Sequence, residues 1–253
     1  MPKKLAEILF HFLEKIERRI SFYQGKGYGG ASIRAEFSAA TSLLGAAPKI
    51  VVDVGGNVGD YAFEVASRFP NCKIHVIEPS PTNIAILNQR FLQTSNIQIY
   101  ETAVSDTEEI KTLYSDEEGS GLASLVKRRL LHFGIEMNIE THVKVIKLDS
   151  FWRSTLKNDP IDILKIDIEG FELKALEGFQ EGLLRCKVVQ FEFGGCNIDT
   201  KTYFQDFWYF FSSRNFKIFR ITPLGIQEIN KYSEQDETFR VTNYLALNTE
   251  FEF

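Results

Sequence analysis

The stretch KIVVDVGGNVGDY, Lys49 to Tyr61, constrains this chain more than any other. It reads as a buried strand that breaks into a glycine-rich turn and then opens a helix. Ile50, Val51, Val52 and Val54 form a β-branched run without alternation, the pattern of a parallel strand covered on both faces. Asp53 interrupts the run near its carboxyl end. Gly55, Gly56 and Gly59 follow, with Asn57 among them, and residues without a Cβ let the backbone turn tightly or approach a ligand closely. Tyr61 to Phe69 then shows apolar residues at helical spacing, so the turn delivers the chain into a helix start.

Two ligands suit such a turn. A dinucleotide loop has the order G-x-G-x-x-G, which seats a pyrophosphate on the helix end. Here the order is D-x-G-G-N-x-G. An acid two residues before the first glycine repels a pyrophosphate and suits the ammonium of a methionine moiety, so the spacing favours S-adenosyl-L-methionine. A helix end gives an anion only about 0.3–1 kcal/mol at exposed sites, so hydrogen bonds in the turn must supply most of the grip. The next strand, Cys72 to Ser80, ends in Glu78, where nucleotide folds place a carboxylate that binds ribose hydroxyls. Pro79 fixes the chain beyond it, and a helix carrying Ile84, Ile86, Leu87 and Phe91 starts near Pro81.

At 253 residues the chain is long enough for one large α/β domain. A net charge of −5 and a pI of about 5.5 build in no long-range attraction to nucleic acid, and no nucleic-acid partner is expected. Cys72, Cys186 and Cys196 contain no C-x-x-C pair and read as free thiols of a cytoplasmic protein. No apolar run reaches the roughly 18 residues of a membrane span, and no signal peptide is expected. The first segment instead places Leu5, Ile8, Leu9, Phe12, Leu13, Ile16 and Ile20 on one helical face, with Lys3, Lys4, Lys15, Arg18 and Arg19 elsewhere. Such a helix can lie on a membrane as a peripheral contact. Glu7, Glu14 and Glu17 dilute its charge, and packing on its own domain is the expectation.

A glycine-rich break, Gln24 to Ser32, separates this helix from one over about Ile33–Leu44 that Ser32 caps. A third strand runs through Asn96 to Asp106, and its end, including Ser105 and Asp106, is a further place for a nucleotide-type cofactor to be touched. Thr107 to Leu125 reads as a hairpin running into a glycine- and serine-rich loop that could close over a site. Val143 to Phe151 is another strand entering a short helix. Ile161 to Phe179 is the second informative stretch: Ile163, Lys165, Asp167 and Glu169 alternate with Leu164, Ile166 and Ile168. Ionisable groups on one face of an apolar strand each carry a burial penalty of several kcal/mol, so partners or function must offset it. Val188 to Gly195 gives a fifth strand with Glu192 near its end. Tyr203 to Ser213 is an aromatic helix expected in the core, and strands around Pro223 and Gly225 close the chain. The histidines lack metal-ligand spacing, although His132 or His142 could accept a proton near the loop.

The motifs VDVGGNVG, VIEPS, AVSD, LDSF and, most specifically, IDILKIDIEGFELKALEG together resemble the FkbM family of S-adenosyl-L-methionine-dependent methyltransferases, from about Ile50 to Glu192. The resemblance implies an α/β, class I methyltransferase fold: a seven-stranded, mostly parallel Rossmann-like sheet with helices on both faces and a reversed last hairpin. Residues 1–45 would be an N-terminal helical extension and 46–253 the methyltransferase domain. It also implies O-methylation of a hydroxyl on a saccharide, glycan or natural product. Asp53, Gly55, Asn57 and Gly59 match the family's cofactor loop, Glu78 its ribose-binding acid, and Asp167 the acid beside the cofactor; Gly56, Pro79, Ser105 and Asp106 complete the expected contacts. For catalysis, Asp167 or Glu169 would bind or deprotonate the hydroxyl, Lys165 would steady the alkoxide, and Glu192 would complete the acidic group. Mg²⁺ held by these carboxylates ranks second to a metal-free site. A cofactor-binding protein without catalysis, or a nicotinamide or sugar-nucleotide enzyme, is the alternative.

Overall fold

The computed structural model describes residues 3–30 and 32–251. Pro2 of the first helical segment, Ala31 of the glycine-rich break and the outer ends of both expected segments lie outside the described residues. In chain order the helices are α1 (Lys3–Tyr23), α2 (Ile33–Ser42), α3 (Asp60–Arg68), α4 (Pro81–Arg90), α5 (Leu148–Ser154), α6 (Glu172–Glu177), α7 (Cys196–Thr200) and α8 (Phe204–Ser212). The strands are β1 (Ile50–Val54), β2 (Lys73–Glu78), β3 (Ile97–Glu101), β4 (Ala103–Val104), β5 (Glu109–Ser115), β6 (Ile139–Ile146), β7 (Ile161–Ile166), β8 (Cys186–Phe193), β9 (Phe216–Thr222), β10 (Gly225–Ile229) and β11 (Thr242–Asn248).

The main sheet has the order β10-β9-β11-β8-β7-β1-β2-β3. Strands β3, β2, β1, β7 and β8 pair in parallel. β11 then runs antiparallel between β8 and β9, which is the reversed hairpin the resemblance implies. The sheet has eight strands rather than seven. The extra one is β10, which folds back on β9 because Gly225 takes φ +115 in a turn closed by Thr222 Oγ1. The strand expected in Val143–Phe151 does not join the main sheet either. β6 pairs with β5 and β4 in a separate three-stranded sheet. Its exposed Glu140, His142 and Lys144 alternate with buried Val143 and Val145, a pattern that fits a sheet wet on one face and not one covered on both.

Alternation along β1 and β7 splits the core across the sheet. Val52, Val54, Leu164 and Ile166 face Phe179, Trp152 and the aromatic α8 on one side; Val51, Ile163 and Val188 face Phe37, Val65 and Leu87 on the other. Phe191 stacks on Phe207 at 4.8 Å, so the aromatic helix is core, as its pattern suggests. Phe37, Ala40 and Leu44 carry α2 into the same cluster as α3. α1 behaves otherwise. The expectation that it packs on its own domain is overturned: Leu5, Ile8, Leu9, Phe12, Leu13, Ile16 and Ile20 are 39–61% exposed. Among the described residues its contacts with the rest of the chain come from its last turns, through Glu17 with Arg240 at 3.0 Å, Phe22 with Tyr28 at 5.2 Å, and Ile16, Ile20 and Tyr23 beside Leu224. Among the described residues no helix is long and apolar enough to cross a membrane.

Candidate active site

The glycine turn sits beyond the carboxyl ends of β1, β2 and β7, where a doubly wound sheet leaves a crevice. The N–H groups of Gly55 and Gly56 donate to the carbonyl of Ile77 at 2.9 and 3.2 Å, clamping the turn onto β2. Gly55 has φ +79, and a Cβ there would stand 1.9 Å from the carbonyl oxygen of Asp167. Gly59, at φ +88, would drive a Cβ to 2.5 Å from the ring of Phe91, so it serves helix packing. Asn57 N donates to Glu78 Oε2 and Ser80 N to Glu78 Oε1, each at 2.9 Å. Arg90 fastens the far side by donating to the Val58 carbonyl and to Asp60.

Two cavities meet at Asp167. The first is walled by the turn, by Glu78, Pro79 and Asn83, by Thr102 to Val104, and by the β5–β6 loop at Ser120 to Leu125. That loop does lie over the crevice, latched by Ser124 Oγ donating to the Glu169 carbonyl at 2.8 Å. The second is lined by Gly29, Gly30, Ser32 and Glu36, by Tyr61, Lys165, Asp167 and Glu192, and by Asn243. Gly55, Asn57 and Asp167 belong to both.

Charge is concentrated in the second cavity. Lys165 Nζ lies 3.3 Å from Asp53 Oδ1 and 3.4 Å from Asp167 Oδ2. Burial alone would lower its pKa, but the carboxylates of Asp53, Asp167 and Glu36 more than reverse this and hold the ammonium charged. Glu36 accepts a hydrogen bond from Gln190 Nε2 at 3.0 Å, and Gln190 Oε1 accepts from the Tyr61 hydroxyl at 3.1 Å. Burial pushes the Glu36 carboxyl up to about 7. Burial, reinforced by Asp167, Glu169 and Glu172, also lifts Glu192 well above the usual carboxylate range.

The structure redistributes the expected site residues. Glu78, Pro79, Asn57, Gly55 and Asp167 line the first cavity, and Gly56, Lys165 and Glu192 the second. Asp53 is 0% exposed and lies under the turn as the counter-ion of Lys165, so it meets Lys165 and not a ligand's ammonium. Ser105 and Asp106 turn away from the crevice: the Ser105 hydroxyl donates to Asp106 Oδ1, and Asp106 pairs with Lys174. The two-residue alternation from Lys165 stops at Asp167, because β7 ends at Ile166 and Glu169 has φ +55. Glu169 is carried to an ion pair with Arg128, although its backbone still borders the first cavity. Glu172 fixes this turn by accepting from Ile168 N and Gly170 N at 2.9 and 3.0 Å. His132 and His142 are exposed and line neither cavity. Glu36, Asn83, Arg128 and Asn243 were not anticipated from the sequence; Asn83, three residues after the Ser80 cap, had a local signal in its helix start.

Glu169, Glu192 and Cys196 place one potential ligand atom each within 4.8 Å of one another. The Arg128 guanidinium already neutralises Glu169, and a thiol is a poor ligand for Mg²⁺, so the set does not suit that ion.

The family profile described as Methyltransferase FkbM domain matches residues 53–218. The chain belongs to the FkbM methyltransferase family. Methyltransferase 1 of Beauveria bassiana (strain ARSEF 2860) is 21% identical over 145 residues, covering 52% of this chain and 58% of that protein. Among solved structures, methyltransferase FkbM from Methylobacillus flagellatus KT is 16% identical with a TM-score of 0.44, over 78% of this chain and 43% of that one. The plantazolicin methyltransferase BpumL, in complex with SAH, is 10% identical with a TM-score of 0.48, over 93% and 88%. This chain therefore spans little more than half of the curated relative and less than half of the Methylobacillus protein. The cofactor of this FkbM chain is S-adenosyl-L-methionine. The first cavity fits it, since Asn57 Oδ1 and Asn83 Oδ1 are buried acceptors without a hydrogen-bond partner and Glu78 stands between them on the cavity wall.

Proposed function

We propose that this FkbM protein transfers a methyl group to a hydroxyl of a saccharide, glycan or other polyhydroxylated small molecule. The observation that carries the reading is Asp167, a part-exposed carboxylate at the junction of the two cavities with Lys165 beside it. Bound in the first cavity, S-adenosyl-L-methionine supplies an electrophilic methyl group on a sulfonium. Glu78, Asn57 and Asn83 hold its ribose end. Asp167 accepts the proton of the acceptor hydroxyl, and the Lys165 ammonium offsets the charge that develops on oxygen. Glu36 and Glu192 orient neighbouring hydroxyls. Holding acceptor and donor in line contributes about 7–11 kcal/mol of the barrier reduction. Glu169 takes no part in proton transfer, because Arg128 occupies it. The three buried thiols support a cytoplasmic setting.

Calorimetric titration with S-adenosyl-L-methionine, S-adenosyl-L-homocysteine and NAD tests the donor half, and incubation with labelled methyl donor over hydroxylated glycans and natural products tests the acceptor. Binding of the first two and label on oxygen are expected. Label only on nitrogen or carbon acceptors would overturn the hydroxyl assignment.

A further inference from the structure

The feature the reaction leaves unexplained is α1. At 3.6 residues per turn its exposed apolar stripe runs from Leu5 to Tyr23, and Lys4, Lys15 and Arg19 fall along one flank of it. Glu7 and Glu14 fall on the opposite face, and Glu17 on the other flank, where it is tied to Arg240 of the domain. The stripe does not end with the helix. Ile16, Ile20 and Tyr23 border Leu224, which stands 81% exposed at the tip of the β9–β10 turn, so the helix and the extra edge hairpin present one apolar surface. Directly after α1 the chain forms the wall of the second cavity at Gly29, Gly30 and Ser32.

We infer that α1 and the Leu224 turn seat this protein on an anionic lipid surface, with the helix lying in the interface. The charge pattern selects this occupant. In an antiparallel pair of two α1 helices, like flanks face each other, and the flank of Lys4, Lys15 and Arg19 would meet the same positive flank of the second copy. In a parallel pair Arg19, which lies at the edge of the stripe, would be shut into the seam. At a lipid surface the same three side chains reach out to anionic headgroups while their methylenes lie along the acyl boundary. Phe12 and Tyr23 supply the aromatic rings of the stripe that settle at that depth.

Flotation of the full chain with phosphatidylcholine–phosphatidylserine vesicles, beside pure phosphatidylcholine vesicles, is the test. Binding to the mixed vesicles that weakens with added salt is expected. Neutralising the flank with Lys4→Gln, Lys15→Gln and Arg19→Gln should lower partitioning on the order of a hundredfold, roughly fivefold for each charge removed. Phe12→Glu should abolish it, and Leu224→Ser should reduce it. These positions are exposed, so circular dichroism and cofactor titration should be unchanged in every variant. No flotation, or equal binding to both vesicle types, would overturn the inference. So would a dimer in sedimentation equilibrium that Phe12→Glu dissolves while vesicles stay unbound, since a second copy would then be what covers the stripe.

Discussion

The two cavities that share Asp167 are built in opposite ways. One wall of the first is made of neighbours in sequence: the turn after β1, the end of β2 and the start of α4 lie within residues 54–83 and are joined mostly by backbone hydrogen bonds to Glu78 and Ile77, while Thr102 to Val104, the loop at Ser120 to Leu125 and Asp167 to Glu169 close the rest. The second is made of side chains from distant segments, with Glu36 from α2, Lys165 from β7 and Asp167 just after it, Glu192 from β8 and Asn243 from β11. Two of these, Glu36 and Asn243, lie outside the span 53–218 that the family shares. On the reading proposed above, the donor side therefore rests largely on local backbone geometry, and the acceptor side forms only when distant segments of the fold meet.

The comparison breaks most sharply at the shared residue. Asp167→Asn keeps the shape but removes the proton acceptor, and turnover should fall about 10²–10⁴-fold with donor affinity and unfolding midpoint nearly unchanged. Normal activity in steady-state assays would remove Asp167 from the reaction. Asp53→Ala should act on stability instead. It leaves the Lys165 ammonium, 6% exposed, with one carboxylate at 3.4 Å in place of two, a change that costs about 3–5 kcal/mol when a buried pair is broken. Urea unfolding that shows less than about 1 kcal/mol would mean that Asp53 is dispensable as a counter-ion.

Within the donor side, Glu78→Ala strands the N–H groups of Asn57 and Ser80 and removes the ribose acceptor. A loss of about 1–3 kcal/mol in S-adenosyl-L-homocysteine binding is expected by calorimetry, with acceptor KM little changed at saturating donor. An equal weakening of both ligands would mean that the two cavities are not separable.

The same contrast explains what the sequence revealed. On the donor side Gly55, Asn57, Glu78 and Pro79 stand on the cavity wall where the sequence places them, because β-branched runs, glycines and the Glu78 strand end act locally and at fixed spacing, whereas Asp53, Ser105 and Asp106 lie elsewhere. The parallel order of the main sheet and its reversed hairpin also followed, apart from β10, whose place depends on one glycine turn, and β6, which pairs in the separate three-stranded sheet. The acceptor side was legible only where its residues sat in the strand patterns of β7 and β8. Glu36 looked like any acid on an amphipathic helix, and Asn243 like a strand residue, until the sheet brought them together. Glu169 misled because a strand's two-residue alternation was carried past Ile166, where a left-handed residue ends it. Asp106 misled because a strand end named the right region, while its side chain found Lys174 instead of the crevice.

Glu36 tests the proposed acceptor side with the smallest effect. Glu36→Gln keeps the hydrogen-bonding shape beside Gln190 and removes a charge, so acceptor KM should rise about tenfold, roughly 1.4 kcal/mol, while donor affinity holds. Its proton gives a second readout. Burial raises the carboxyl from 4.5 to about 7 in the folded chain, so between those values the native state holds a proton that the unfolded chain has lost. The stabilisation is complete below about pH 4.5 and disappears as pH rises through 7, at up to about 1.4 kcal/mol per pH unit. Glu169 and Glu172, both raised to about 7 by burial, add slopes of the same sign. Thermal midpoints of the wild type should therefore fall from pH 5 to pH 8, and those of Glu36→Gln should fall less steeply. Parallel curves for the two proteins would show that the Glu36 carboxyl titrates in the fold as it does in water, and a raised KM would then have to come from lost hydrogen bonds to the acceptor.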